Sequence, residues 1–342
     1  MKQIKKGFIV TTFILLCITC AIIILSRINI TPLFTAAGNN ELKGAIFERE
    51  GKICFFDYSE RKITIIDGGG KYNPLLSPDK TRILYRRSAS ETEGNVLRFG
   101  IIDLNGKTIL DIAIDSGTSN DIIGCQWLSD TAVGITTHVN PSTSEFFVYD
   151  AANGKMTGHY IGYSFAQVPN TEIIIHAKNV PHWSDEPVCH SFEVNGKTVY
   201  TSDVLNAKLC PPVFSGDLTK IAFMEQLPGP GDKSSACRII TADFDKDNIA
   251  IRNIDCIDVP AGISGDLTFD SNNNVCVVNG NLLHTYDRNT SSFIQTLITT
   301  DLQDNESESE FFAELQKAIK EYWSDDSPDK INSINLIYEN AE

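Results

Sequence analysis

The chain has 342 residues, 42% of them hydrophobic and 21% charged, with a formal net charge of −15. This composition supports a sizeable core, and the length allows two domains. Residues 1–26 carry +3 and residues 27–342 therefore −18, a balance that argues against nucleic acid or anionic lipid as a partner of the larger part.

Lys2, Lys5 and Lys6 precede Phe8 to Leu25, eighteen residues without a charge. At ~1.5 Å per residue such a run reaches ~27 Å, close to the ~30 Å of a bilayer core. No small-residue cleavage site follows Leu25 directly, and Cys17 and Cys20 lack the small residues that precede a lipidated cysteine. The expectation is a transmembrane signal anchor in residues 1–27, followed by a linker over residues 28–40. The basic residues before the run place the N-terminus in the cytoplasm and the rest outside. Cleavage near Thr35-Ala36-Ala37, giving a secreted protein, is the alternative.

From residue 41 onward one polar turn recurs between apolar, β-rich runs. Its leading acids are Asp57, Asp103, Asp150, Glu193, Asp243 and Asp287, spaced 43 to 50 residues apart. A second turn interleaves with it. Ser77-Pro78-Asp79-Lys80-Thr81-Arg82-Ile83-Leu84-Tyr85 aligns without gaps to Ser215-Gly216-Asp217-Leu218-Thr219-Lys220-Ile221-Ala222-Phe223. In the second unit Asn73 to Ser77, Thr81 to Arg86, Asn95 to Ile102 and Lys107 to Ile114 read as four strands. Asn105-Gly106 between the last two predicts a type I′ turn. A four-stranded repeat of this period predicts an all-β fold, a six-bladed β-propeller of four-stranded antiparallel blades over residues 41–300.

The Ser-Pro-Asp-x-x-x-Ile-x-Tyr/Phe turn resembles the repeat of TolB-type propellers and of the propellers attached to prolyl-oligopeptidase-like peptidases. The resemblance spans roughly residues 41–300. It implies fold only, because in that family the repeat residues build the blade.

The first unit supplies three strands, Ala45 to Glu48, Ile53 to Asp57 and Lys62 to Ile66, and lacks an inner one. An unpaired edge needs a partner. Ile334 to Tyr338 is the expected donor, and Ile30 to Thr35, weakened by Pro32, the alternative. Between the repeats and that strand, Asp301 to Glu310 reads as an acidic linker. Phe311, Phe312, Leu315, Ile319, Tyr322 and Trp323 fall at the spacing of one amphipathic helix.

Signatures of chemistry are sparse. Gly-x-Ser-x-Gly and His-Glu-x-x-His do not occur, and Gly68-Gly69-Gly70-Lys71 lacks the spacing of a phosphate loop. Asp243-x-Asp245-x-Asp247 opens like a calcium loop but has Asn248 where glycine is needed and Ile254 where the bidentate acid belongs, so it reads as a hairpin turn. His176, His182, Cys189 and His190 are the weak metal candidates; their spacing matches no short motif, and no metal or cofactor is expected. Seven cysteines follow the apolar run, an odd number without a pairing pattern. Asn289-Thr290-Ser291 and Asn305-Glu306-Ser307 fit glycosylation sequons.

Tight turns specify one face of such a fold, and longer loops carry function on the other. Tyr72, His182, Trp183, Leu227 and Pro228 sit in the longer loops and are the candidate contact residues. The sequence thus points to a membrane-anchored, extracytoplasmic binding or scaffold module whose partner is a protein, peptide or other ligand. The alternatives are a propeller hydrolase or lyase with carboxylates or a metal in a central funnel, and the sensor arm of an envelope system. A cluster of Asp, Glu and His would favour the enzyme, and an apolar, aromatic rim the binder.

Overall fold

The computed structural model describes residues 40–87, 96–115, 119–139, 143–179, 189–229, 234–279, 282–297, 302–323 and 331–340. The apolar run Phe8 to Leu25 lies outside them, as do Ile30 to Thr35, His182 and Trp183. Among the described residues no helix is long and apolar enough to cross a membrane, so the transmembrane helix expected as part of the fold is absent from the described architecture. The chain divides into two compact units: the described parts of Met1–Ala113 with Thr300–Glu342, and Ile114–Thr299.

In the first unit, β1 (Asn40–Arg49), β2 (Lys52–Asp57) and β3 (Lys62–Asp67) form an antiparallel meander, and β4 (Lys71–Leu76), β5 (Arg82–Arg87), β6 (Arg98–Asp103) and β7 (Thr108–Ala113) form a second. The second unit opens with β8 (Ser119–Ser129), β9 (Ala132–Val139), β10 (Thr143–Asp150), β11 (Met156–Gln167), β12 (Ile174–Lys178), β13 (Ser191–Val194) and β14 (Lys197–Thr201), which make one continuous sheet. Next come β15 (Lys208–Leu209) and β16 (Val213–Phe214), both paired to β17 (Lys220–Pro228), then β18 (Ser234–Asp245) and β19 (Ala250–Asp258). β20 (Asp266–Phe269), β21 (Val275–Asn279), β22 (Leu282–Asp287) and β23 (Ser292–Leu297) complete that unit. The chain then returns to the first unit with α1 (Leu302–Trp323) and β24 (Ile331–Asn340), which pairs antiparallel with β1.

The expectation of six four-stranded blades is therefore corrected. The described strands form four blade-sized sheets and one seven-stranded sheet. The cause is β11, which pairs with β10 from Met156 to Gly162 and with β12 from Gly162 to Gln167. One strand thus serves two predicted repeats and leaves no break between them. Gly162 makes the double pairing possible, since a Cβ there would lie 2.4 Å from the Ala177 carbonyl oxygen.

In the first unit, β1 is apolar on both faces. Ala45 and Phe47 join Cys54, Phe56 and Ile63 against Phe311, Leu315, Ala318 and Ile319 of α1. Ile46 points the other way, to Ile53, Ile83, Tyr85 and Ile102, as the two-residue period of a strand dictates. The helix begins within the stretch expected to be an acidic linker and docks through the stripe its spacing predicts. Phe311 meets Phe56 edge-on at 5.3 Å, and the Arg49 guanidinium lies 4.8 Å from the centre of the Trp323 ring.

The repeated turns match atom for atom. Ser77 Oγ donates to Asp79 Oδ1 at 2.5 Å and accepts from Arg82 N at 2.9 Å, while Thr81 N and Oγ1 donate to the same carboxylate oxygen. Ser215, Asp217, Thr219 and Lys220 reproduce each contact. Lys80 and Leu218 occupy the same left-handed conformation, both at φ 58°.

Hairpin details differ from expectation in two places. Asn195-Gly196 takes positive φ at both residues, as a type I′ turn requires, but at Asn105-Gly106 only the glycine does, at 81°. There the Gly106 N–H donates to Asp103 O, and the Asp103 carboxylate accepts from Asn105 N and Lys107 N at 2.9 Å each. The tip is a type I turn with a glycine bulge. In the fifth repeat the acid that organises the turn is Asp245, not Asp243, because β18 runs two residues further than the alignment implies.

These turns give the fold an acid limit. Asp217 is held well below the usual carboxylate range by Ser215, Thr219 and Asn273. At Asp79 partial burial acts upward, but hydrogen bonds from Ser77 and Thr81 outweigh it and bring the group to about 2. A folded-state value below the unfolded one contributes stability that is present above the unfolded value and lost as pH falls through the folded one. The urea midpoint is expected to hold from pH 7 to about 5 and fall between about 4 and 2, less steeply in Asp79→Asn. A midpoint unchanged down to pH 2 would refute this.

Candidate functional site

Within the second unit a cavity of about 470 Å³ lies between the seven-stranded sheet and the β15–β17 edge of the next. Its walls are Ile123, Gly124, Cys125 and Gln126 of β8, Thr136 of β9, Ser144 of β10, Tyr163, Ser164 and Phe165 of β11, then Cys189, Lys208 to Pro211, and Gln226 of β17. Among the described residues the lining contains no Asp, Glu or His.

Local strain shapes this wall. Ser164 and Cys189 both sit in the left-handed region, at φ 51° and 57°, where residues with a Cβ are uncommon. Both are tied to Leu209: Ser164 Oγ donates to its carbonyl at 2.6 Å, and its N–H donates to Cys189 O at 3.0 Å. The register of β11 against β12 shifts between Tyr163 and Ala166. Such a bulge re-aims side chains, and here Tyr163 and Phe165 both reach the cavity. Phe165 is fixed from behind by stacking on Phe146 at 5.0 Å.

Burial pushes the Cys189 thiol up to about 12, against an opposing pull from Lys208. The Cys210 thiol is likewise raised by burial. Both stay protonated at neutral pH and behave as small apolar surface rather than as nucleophiles. All seven cysteines of the described residues are free thiols.

Two polar clusters flank the cavity. Glu145 accepts from Ser119 Oγ at 2.5 Å and contacts His159 Nε2 at 3.0 Å. Here the carboxylate lies between serine and histidine, so the imidazole has no path to activate the hydroxyl as a nucleophile. The other cluster joins two sheets. Glu225, fully buried, accepts from Tyr200 OH at 2.6 Å and from Arg238 Nε at 2.5 Å, and Arg238 also binds Asp203.

The described residues among those singled out from the sequence lie in different places. Tyr72 is half-buried in β4 of the first unit, paired with Arg86. Leu227 and Pro228 are the last residues of β17, opposite Ala236 and Ser234, rather than part of a long loop. Of the four metal candidates, His176 is buried in β12 between Tyr160 and Phe165. His190 and Cys189 precede β13 instead of lying within a strand, and His182 is outside the described residues. No group of three His, Cys, Asp or Glu able to hold a metal occurs among the described residues. Among the described candidates, Cys189 borders the cavity. Tyr163, Phe165 and Lys208 were not singled out by sequence reasoning, although Gly162-Tyr163-Ser164 stands out as a small-residue break in an apolar strand.

No family model matches the sequence, and no curated protein matches it. Among solved structures the tricorn protease superposes with a TM-score of 0.51 at 12% identity, over 77% of this chain and 32% of that one. The fold is that of a β-propeller. The propeller chain thus spans about a third of the length of that protease. TolB from Acinetobacter baumannii matches at 15% identity and TM-score 0.39, over 74% of this chain and 62% of its own. The periplasmic gluconolactonase PpgL of Pseudomonas aeruginosa matches at 12% and 0.45, over 76% and 84%. At these identities the likeness concerns fold alone.

Proposed function

We propose that this propeller is a binding module and that its ligand occupies the cavity bordered by Tyr163, Phe165 and Lys208. The observation that carries this reading is the described lining, which combines aromatic and aliphatic walls, a few amides and hydroxyls and one lysine, without a carboxylate or imidazole among the described residues. A hydrolase or lyase needs an acid, base or metal-bound water within reach of its substrate, and the described lining offers no carboxylate or imidazole for that role. A pocket of ~300–1,000 Å³ with mostly apolar walls and a few polar groups suits a small molecule or a single peptide side chain. In this reading Phe8 to Leu25 holds the chain at the membrane and the propeller lies outside the cytoplasm, where it meets an extracytoplasmic ligand, protein or peptide.

Gly124→Phe tests the proposal. A Cβ at Gly124 meets only Thr136, at 3.6 Å, so an aromatic side chain enters the cavity without displacing backbone. Native mass spectrometry of the full chain, purified from its own membranes, should find a co-purifying molecule in the wild type and lose it in Gly124→Phe. Retention in the variant would refute binding at this site. Membrane fractionation with N-terminal mass analysis checks the attachment, and a chain starting near Gly38 would make Phe8 to Leu25 a removed signal.

A further inference from the structure

We infer that the cavity selects a small monocarboxylate with an aromatic or branched apolar body, its carboxylate held by Lys208 and Gln226 and its body against Tyr163 and Phe165; this rests on the cavity being a binding site.

Lys208 and Gln226 are direct cross-strand partners of β15 and β17, and both line the cavity. They place an ammonium and an amide side by side on one wall. Lys208 has no carboxylate partner among the described residues, in a chain with 44 acidic and 29 basic residues. Its ammonium borders a hollow whose described lining holds no acid, which leaves room there for an anion. The opposite wall is β11, whose bulge sets Tyr163 and Phe165 toward the same space.

The lining also defines what the site rejects. A cationic ligand would find no counter-charge in the described lining and would meet Lys208. A phosphate ester carries close to two charges, and such groups are typically met by an arginine fork, several cations or a helix N-terminus. The described lining has one lysine, no arginine and no helix N-terminus. A single carboxylate matches one ammonium in charge, and its second oxygen can accept from the Gln226 amide. The raised thiols of Cys189 and Cys210 add apolar surface and no competing negative charge.

The probes are 4-phenylbutyrate and its neutral isostere 4-phenylbutyramide, titrated calorimetrically into the full chain in detergent. Wild type should prefer the acid by about fivefold or more, with the preference shrinking as salt rises. Lys208→Met should bring the acid to the affinity of the amide and leave the amide unchanged. Gly124→Phe should abolish both. Equal binding of acid and amide to wild type, or an unaltered preference in Lys208→Met, would overturn the carboxylate assignment and leave the cavity as a binding site. Undiminished binding to a folded Gly124→Phe would overturn both readings. Failure of wild type to bind the acid at millimolar concentration would overturn the assignment.

Discussion

Glu225→Ala is expected to destabilise the second unit by about 3–5 kcal/mol, the usual result of removing one partner from a buried, hydrogen-bonded charge pair. Glu225 is fully buried and the Arg238 side chain nearly so, at 11% exposure. Without the carboxylate the guanidinium keeps, among the described residues, the exposed Asp203, and the buried Tyr200 hydroxyl loses its acceptor. Glu225 and Arg238 belong to β17 and β18, and Tyr200 to β14 of the seven-stranded sheet, so the loss also loosens the packing of Tyr200 on Phe223 at 4.8 Å. Urea unfolding followed through Trp127 fluorescence reports on this unit. Glu225→Met combined with Arg238→Met should recover much of the loss, because no charge is then left buried alone. A loss below about 1 kcal/mol for Glu225→Ala would mean that water reaches the cluster.

Removing residues 331–342 is expected to cost the first unit about 3–6 kcal/mol and lower its melting temperature by about 10 °C or more. β24 pairs with β1 from Asn40↔Asn340 to Arg49↔Ile331. It packs Ile331, Ile334, Leu336 and Tyr338 on the α1 side and Ile337 on the other. Its Asn335 side chain donates to Pro74 O at 2.7 Å and accepts from Leu76 N, pinning β4 to the same strand. Truncation leaves β1 as an open edge with apolar residues on both faces, a template for aggregation. Trp323, which lies over Arg49, reports the change by fluorescence. Unchanged melting after truncation would mean that β24 adds nothing to the stability of β1.

Local chemistry explains what was legible beforehand. The Ser-x-Asp turns at Ser77 and Ser215 encode their hydrogen bonds within five residues, so sequence alone positions them. Asn195-Gly196 is equally self-contained. The need for a strand beside β1 was readable because an apolar run at Ile334 to Tyr338 had no other place to go. Sheet boundaries were not readable in this way. Whether β11 ends or continues depends on the close approach of Gly162 to Ala177, a tertiary event that leaves no periodic trace. The two-residue shift from Asp243 to Asp245 has the same origin, since either acid can begin an Asx turn and strand length decides between them.

The cavity was less legible still. Tyr163 and Phe165 alternate as ordinary strand residues, and only the left-handed conformation of Ser164 between them shows that their wall is re-aimed. Lys208 belongs to a two-residue strand too short to register as a pattern. Sequence reasoning that looks for aromatics in long loops favours Tyr72 and Trp183, whereas the lining residues come from strand interiors and from the short segment around Leu209.

The most direct test of binding at this cavity is an NMR titration of the full chain, isotope-labelled at phenylalanine and tyrosine, with 4-phenylbutyrate, combined with analysis of the recovered ligand. Binding at the cavity without turnover predicts shifts at Phe165 and Tyr163, none at Phe293 of β23, and a ligand recovered unchanged. Shifts confined to residues away from the cavity, or a chemically altered ligand, would contradict it.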